Sequence, residues 1–313
     1  MNFKSKYLCV SLVISFLSFP AFSAESTENS ATTLDEIIVT ARKREESLLD
    51  ISESVSAISG ADIDARNIKG LDKIGLLIPN LNLAKRADGF PNVSMRGIGA
   101  FGLTQGVGFY LDDVQLFSDA SSRFGDLERI EVLKGPQGIL YGGSNIGGAI
   151  KFVSKRPSAD EGFTGRIKYQ TGQQGINDAE VSANIPLQGD WAMRVFSYTR
   201  DDDGFITNPN SDGIDNQPVN IDKYSEDGTR ISIAGSLSDN LSLYASVRRN
   251  EYEGPVNTWA RELGQPGSFF YPKQLDTGTN SSRNAETTAA TLELNWSLAV
   301  SYTHLTLPTI LLV

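Results

Sequence analysis

From Phe163 to Leu298 the chain alternates. Phe163, Gly165, Ile167 and Tyr169 stand between Thr164, Arg166, Lys168 and Gln170, and Ala179, Val181, Ala183 and Ile185 between Glu180, Ser182 and Asn184. The pattern returns in Ile231, Ile233, Gly235 and Leu237, in Leu241, Leu243, Ala245 and Val247, and most cleanly in Ala290, Leu292, Leu294, Trp296 and Leu298. Successive side chains of an extended strand point to opposite faces, so a period of two demands strands and excludes helices, whose period is 3.6. The stretch Trp191 to Arg200 is strand-like, but its faces are not clearly sorted. Together these segments predict about six strands, each apolar on one face only.

The connections narrow the choice of sheet. Leu187 to Asp190 and Ser238 to Asn240 are tight turns, whereas Asp201 to Gly228 and Glu253 to Ala285 are long. A soluble sandwich also has period two, but short and long connections in alternation are the habit of transmembrane β-barrels. No apolar run beyond the first two dozen residues reaches the roughly 20 residues of a spanning helix, while a barrel strand needs only about 9 to 11. In a barrel Trp191 and Trp296 fall near the periplasmic rim, where aromatic residues gather, and Tyr198 lies toward the outer end.

Residues 1–24 read as a secretory signal peptide. Lys4 and Lys6 precede the apolar run Leu8 to Phe19, and Ala21-Phe22-Ser23 supplies the small residues of a cleavage site. The sole cysteine, Cys9, lies inside it with too little apolar sequence before it for lipid attachment, so the exported chain is expected to have neither disulfide nor thiolate metal site. A net charge of -10 excludes a nucleic-acid partner, which needs a basic face to displace counterions. Residues 25–44 form a leader. Glu25 to Thr33 is small and polar and is expected to stay disordered, and Leu34 to Ala41 is β-branched before the basic cluster Arg42-Lys43-Arg44. Two readings fit that segment: a strand to be added to another protein's sheet, or the first strand of the domain that follows.

Residues 45–157 read as a small α+β domain. Val55 to Ile58 predicts a strand, Ala61 to Ile68 a short helix with Asp62 in its first turn, and Leu71 to Leu77 a second helix that must stop before Pro79. Asn92 to Arg96 predicts a strand, and Gly106 to Val114 a strand, a turn at Asp112-Asp113 and a strand. Glu128 to Leu133 predicts a strand that breaks at Gly135-Pro136; Gly138, Gly142, Gly143, Gly147 and Gly148 follow before the strand Ala149 to Val153. So much glycine between two strands implies tightly folded backbone that other backbone approaches closely.

Motifs of chemistry fail on their contexts. Gly97 to Gly102 spells the dinucleotide fingerprint, but Leu103 to Gly108 cannot open the helix that would hold a pyrophosphate. Gly142-Gly143-Ser144-Asn145-Ile146 misses the last glycine of a nucleophile elbow, and the only histidine is His304. A calcium loop starting at Asn208 would end on Val219 instead of a bidentate glutamate. Nothing specifies an enzyme or a metal.

Read in order, Ile78-Pro79-Asn80-Leu81, Val93 to Gly97, Phe109 to Asp112, Glu128 to Pro136, Leu140-Tyr141-Gly142 and Gly147 to Ile150 resemble successive plug motifs of TonB-dependent outer-membrane receptors, and Asp35 to Ala41 resembles their TonB box. The resemblance runs from the signal peptide to about Val300. It implies an α+β plug domain at 45–157, followed at 158–300 by the beginning of an antiparallel transmembrane β-barrel, incomplete because the family's barrel has about 22 strands. Two mild departures are Asp113, where the family has glycine, and Lys134, where it has arginine. Residues 301–313 drop the alternation and place Pro308 where a strand should continue, so they are expected to be an atypical tail that is not native sequence.

The implied function is energy-coupled uptake of a scarce nutrient across the outer membrane, with a ferric siderophore as the first expectation. Cobalamin, haem or an oligosaccharide are alternative ligands, and a passive porin is the alternative mechanism. The partners implied are the TonB energy-transducing protein, the small ligand and outer-membrane lipid, for a monomer without cofactor. Asp35, Glu36, Ile37, Ile38, Val39, Thr40 and Ala41 would bind the transducer; Lys85, Arg86, Asp88, Phe90, Phe101 and Gln105 would face the ligand. Arg96, Gly97, Asp112, Glu131, Gly135, Pro136, Tyr141, Gly142, Gly147 and Gly148 are expected to be structural in the plug. About ten residues between the cleavage site and the box leave no room for a signalling domain.

Overall fold

The computed structural model describes residues 38–40, 43, 46–51, 53–68, 71–85, 91–99, 106–116, 125–142, 145–204, 207–208, 219–220, 222–255, 282–298 and 301–311. The first part of the chain holds β1 (Ile38–Val39), β2 (Glu46–Ser47), β3 (Val55–Ser59), α1 (Gly60–Ala65), α2 (Leu71–Leu77), β4 (Leu81–Lys85), β5 (Pro91–Met95), β6 (Val107–Leu111), β7 (Val114–Leu116), β8 (Leu127–Lys134), α3 (Gly138–Tyr141) and β9 (Gly148–Ser154). Long strands follow: β10 (Thr164–Thr171), β11 (Asn177–Pro186), β12 (Ala192–Asp202), the two-residue β13 (Thr207–Asn208) and β14 (Val219–Asn220), β15 (Tyr224–Ser238), β16 (Leu241–Pro255), β17 (Ser282–Leu298) and β18 (Ser301–Leu311).

In the first part a five-stranded sheet runs in the order β3-β8-β9-β6-β7, antiparallel except for the parallel pair β6 and β9. Its core is Ile58, Ile63, Ile74, Val93, Met95, Phe109, Ile130, Ile150 and Phe152. Helix α1 is capped by Ser59, whose hydroxyl accepts the Asp62 N–H at 3.1 Å. It ends at Ala65, three residues before the Ile68 expected, because Asn67 takes φ +51° and the Ile68 N–H closes back on the Ile63 carbonyl at 2.9 Å. Helix α2 has the predicted bounds. The turn at Asp112 and Asp113 has φ of +48° and +66°, the left-handed pair its aspartates suggested. Strand β4 was not expected; Leu81 and Leu83 pair with Met95 and Val93 of β5.

The second part is one seven-stranded antiparallel sheet, β10-β11-β12-β15-β16-β17-β18. The connections 187–191, 239–240 and 299–300 lie at one end; 172–176 lies at the other, together with the long stretches between β12 and β15 and between β16 and β17. The alternation sorts the wrong way round for a protein in water. Apolar residues are exposed, with Ile167 at 75%, and so are Phe163, Tyr169, Ile231, Leu237, Val247 and Trp296. Polar and charged residues are buried, with Asn184 at 0%, and so are Ser182, Arg194, Glu226, Arg230, Ser232 and Glu293. An apolar exposed face opposite a polar covered face is the arrangement of a sheet in lipid.

Tyr198 lies toward the end of β12 that leads into a long connection, as expected, and its ring is buried on the covered face, where its hydroxyl donates to Glu226 at 3.3 Å. This face of β12, carrying Ala192, Arg194, Phe196 and Tyr198, meets the first sheet and is therefore mixed in character, which is why its two faces did not sort by polarity. The tail does not leave the sheet: Ser301–Leu311 pairs along β17. A proline is tolerated in such an edge strand because one row of its backbone groups bonds to nothing in the sheet.

Candidate functional site

Strand β8 points Arg129 and Glu131 to the same face, two residues apart, and β9 sets Lys151 opposite Glu131. All three are buried, and burying charge requires partners. Arg129 Nε donates to Glu131 Oε1 at 2.7 Å, and Lys151 Nζ lies 2.9 Å from Asp113 Oδ1 in the turn between β6 and β7. The remaining bonds converge on Thr40. Its N–H and hydroxyl donate to Glu131 Oε1 at 2.8 and 3.2 Å, and Arg129 Nη2 donates to its hydroxyl at 3.2 Å. Lys151 Nζ donates to the same hydroxyl at 2.7 Å and to the Thr40 carbonyl at 3.2 Å. Among the described residues Glu131 Oε2 has no hydrogen-bond partner.

Just before Thr40, Ile38 pairs with Ser47 and Val39 with Glu46. Val39 is wholly buried against Tyr110, Leu133, Tyr141 and Ala149, while Ile38 is half-exposed, as a strand lying on a surface requires. Of the residues expected to bind a transducer, Ile38, Val39 and Thr40 are thus brought together on β8 and β9. Asp35, Glu36, Ile37 and Ala41 lie outside the described residues.

The glycine-rich turn builds the floor of this site. The Gly135 N–H bonds Gly147 O at 3.0 Å, Gln137 N–H bonds Asn145 O at 2.9 Å and Gly147 N–H bonds Gly106 O at 2.8 Å, so the loop folds back on itself and on β6. Gly148 has φ +145°, and a Cβ there would run into the Leu133 carbonyl and the Met95 sulfur. The rings of Tyr110 and Tyr141 stand 4.8 Å apart at 57°, with Tyr110 Oη donating to the Tyr141 carbonyl at 3.0 Å. Burial pushes both phenols above the ordinary tyrosine range; for Tyr141 the neighbouring Asp113 and Glu131 carboxylates push further the same way. Asp112 is buried and accepts the Ser154 N–H at 2.8 Å. Arg96, Gly97, Pro136 and Gly142 are exposed, and Arg96 reaches the Lys134 carbonyl at 3.5 Å.

A second set of charges joins the two sheets. Asp126 receives Arg194 through both carboxylate oxygens, at 2.7 and 2.6 Å, and Arg230 at 2.9 Å; Arg230 also donates to Ser154 Oγ at 2.9 Å. Arg156 bonds Glu293 in two-pronged fashion, at 3.0 and 2.6 Å, with its guanidinium 4.2 Å from the centre of the Tyr244 ring. Asp64 of α1 receives both Arg166 and Lys168 of β10. Sequence reasoning missed Asp126, Lys151, Arg156, Arg194, Arg230 and Glu293. The signal was there for Arg230 and Glu293, which are charged residues on the polar phase of strands that the pattern had already located. Of the expected ligand-facing residues, Lys85 lies at the end of β4, and Arg86, Asp88, Phe90, Phe101 and Gln105 lie outside the described residues.

Residues 47–149, which carry β3 to β8, the glycine-rich turn and the first two residues of β9, match the TonB-dependent Receptor Plug Domain. These residues are a plug domain of the kind found in TonB-dependent receptors. In sequence the chain is similar to the pesticin receptor of Yersinia pestis, 28% identical over 207 residues that make up 63% of this chain and 30% of that one. It is similar also to the vitamin B12 transporter BtuB of Vibrio vulnificus, 25% identical over 222 residues, 69% of this chain and 35% of that one. Its fold is that of the ferric yersiniabactin uptake receptor FyuA from Yersinia pestis, with a TM-score of 0.65 at 19% identity over 79% of this chain and 39% of that one. The ferripyoverdine receptor of Pseudomonas aeruginosa gives a TM-score of 0.69 at 15% identity, over 84% of this chain and 34% of that one. The chain spans about a third of the length of the relatives it matches.

Proposed function

We propose that this receptor works in the outer membrane of a Gram-negative cell, where it takes up a ferric siderophore at the expense of energy delivered by the TonB protein. The observation that carries the reading is the inverted sheet with its cargo: an apolar exposed face suited to lipid, and a polar covered face bonded to a separate folded domain through Asp126, Arg156 and their partners. A sheet that holds a plug by ion pairs instead of an apolar core can let part of it move, because each bond lost can be replaced by water. Residues 1–24 would direct export, 25–44 would carry the transducer-binding segment, 45–157 would close the passage and 158–300 would begin its wall.

The siderophore comes first among ligands because the pesticin receptor is joined by ferrioxamine receptors among the relatives, and by receptors for ferric yersiniabactin and ferripyoverdine among the structures. The similarity to a vitamin B12 transporter makes cobalamin the second candidate. The test is uptake of radiolabelled iron, presented as ferrioxamine or yersiniabactin, and of labelled cobalamin, by cells expressing the intact gene. Dissipating the proton gradient should stop entry of one iron complex while its surface binding persists. Entry that continues without the gradient would make the protein a passive channel.

A further inference from the structure

We infer that Lys151, held by Asp113, is the positioning residue that keeps the Ile38–Thr40 segment seated on the plug. The inference takes from the proposed function only the meaning of that segment; the seating itself is in the geometry. Lys151 lies in β9 between Ile150 and Phe152, both fully buried, and is itself 2% exposed. An ammonium there has three protons to satisfy; it donates hydrogen bonds to Thr40 Oγ1 and Thr40 O, and its third contact, Asp113 Oδ1 at 2.9 Å, supplies a counter-charge without an aligned hydrogen bond. Two of the three therefore go to a residue that belongs to none of the five strands of the plug sheet.

Asp113 is what allows this. It occupies φ +66°, where a side chain is strained and glycine would not be, and it stands where the family's motif has glycine. The carboxylate supplies a counter-charge that stays with Lys151 whether or not Thr40 is present, so the ammonium can remain buried in both states. Departure of Thr40 removes two acceptors from Lys151 and the hydroxyl from Arg129, and leaves Glu131 bonded to Arg129 alone among the bonds described above. The segment is held by charge-assisted hydrogen bonds that a pull along the chain breaks together, while the charges that made them stay paired.

The test is thiol labelling of Val39→Cys in the intact receptor in outer-membrane preparations, without ligand or transducer. Position 39 is wholly buried while the segment is seated, so a maleimide reports its release. Lys151→Met should raise the labelling rate by about tenfold or more, the effect of losing hydrogen bonds to a charged group. Thr40→Val should raise it as well, and the double variant should label within about threefold of the faster single one, because both changes remove the bond between Lys151 Nζ and Thr40 Oγ1. Parental rates in the single variants, or a double variant whose increase is the product of the two, would overturn the inference. Should Lys151→Met fail to accumulate, Thr40→Val alone decides by the same criterion, since it lies outside the sheet. Uptake plays no part in this readout, so failure of the transport reading and failure of the seating inference are separately visible.

Discussion

Asp126 and Arg194 are 68 positions apart in the chain and meet through two hydrogen bonds, one to each carboxylate oxygen, with Asp126 1% and Arg194 6% exposed in their side chains. Arg230 completes the group, so a single plug carboxylate balances two guanidinium ions of the surrounding sheet. Asp126→Ala leaves both cations buried without it and is expected to cost about 3 to 5 kcal/mol. The Asp64 to Arg166 pair is about two-fifths exposed at each end, and Arg166→Ala should cost under about 1 kcal/mol. Equilibrium denaturation of the two variants in detergent micelles compares them, and equal losses would contradict this ranking.

Gly148 opens β9 at φ +145°, against the Leu133 carbonyl. Gly148→Ala adds a side chain where both the backbone angle and the space refuse one, and should lower plug stability by about 3 kcal/mol or more. Gly142→Ala, at φ +65° and ψ −174° but with open space around it, should cost about 1 to 3 kcal/mol from the backbone alone. Protease resistance of the plug in the two variants measures the difference.

Tyr110 and Tyr141 predict an alkaline limit. Burial raises both phenols above the tyrosine value of about 10, so the folded state favours the neutral form. Their contribution is whole below pH about 10 and is lost as the pH climbs past it, because the unfolded chain then ionises first. An ultraviolet titration should show the phenolates of these two appearing only with loss of structure, and Tyr141→Phe should move that transition to higher pH.

Ile231 sits on the exposed face of β15, opposite Val195 and Val247 on the neighbouring strands. In lipid, Ile231→Arg should cost about 2 to 4 kcal/mol near the middle of the bilayer, whereas on a wetted surface it would be nearly neutral. Folding into phospholipid vesicles, followed against urea, separates the two.

How far the fold could be read depended on whether local rules decided it. Helix α2 was legible because Leu71 to Leu77 meets Pro79, and the turn of Asp112 and Asp113 because aspartate tolerates the left-handed region. The strand phases of β10, β11, β15, β16 and β17 were legible from alternation. Which phase faces outward was not, since alternation is symmetric until something occupies one side, and the burial of Tyr198 on the covered face could not be read for that reason. Val39 and Thr40 could be recognised as part of a box-like segment, but their seat is made by Arg129, Glu131 and Lys151, residues 89 to 111 positions from Thr40 whose meeting only the folded sheet creates.

Energy coupling through the segment around Ile38 is the central claim, and Ile38→Pro tests it most directly. Proline removes one backbone donor from a strand that must pair with the transducer, and changes nothing at the face where a ligand would bind. Cells expressing the intact gene with this substitution should bind a labelled ferric siderophore as the parent does and accumulate it at a small fraction of the parental rate. Accumulation at the parental rate would contradict the account.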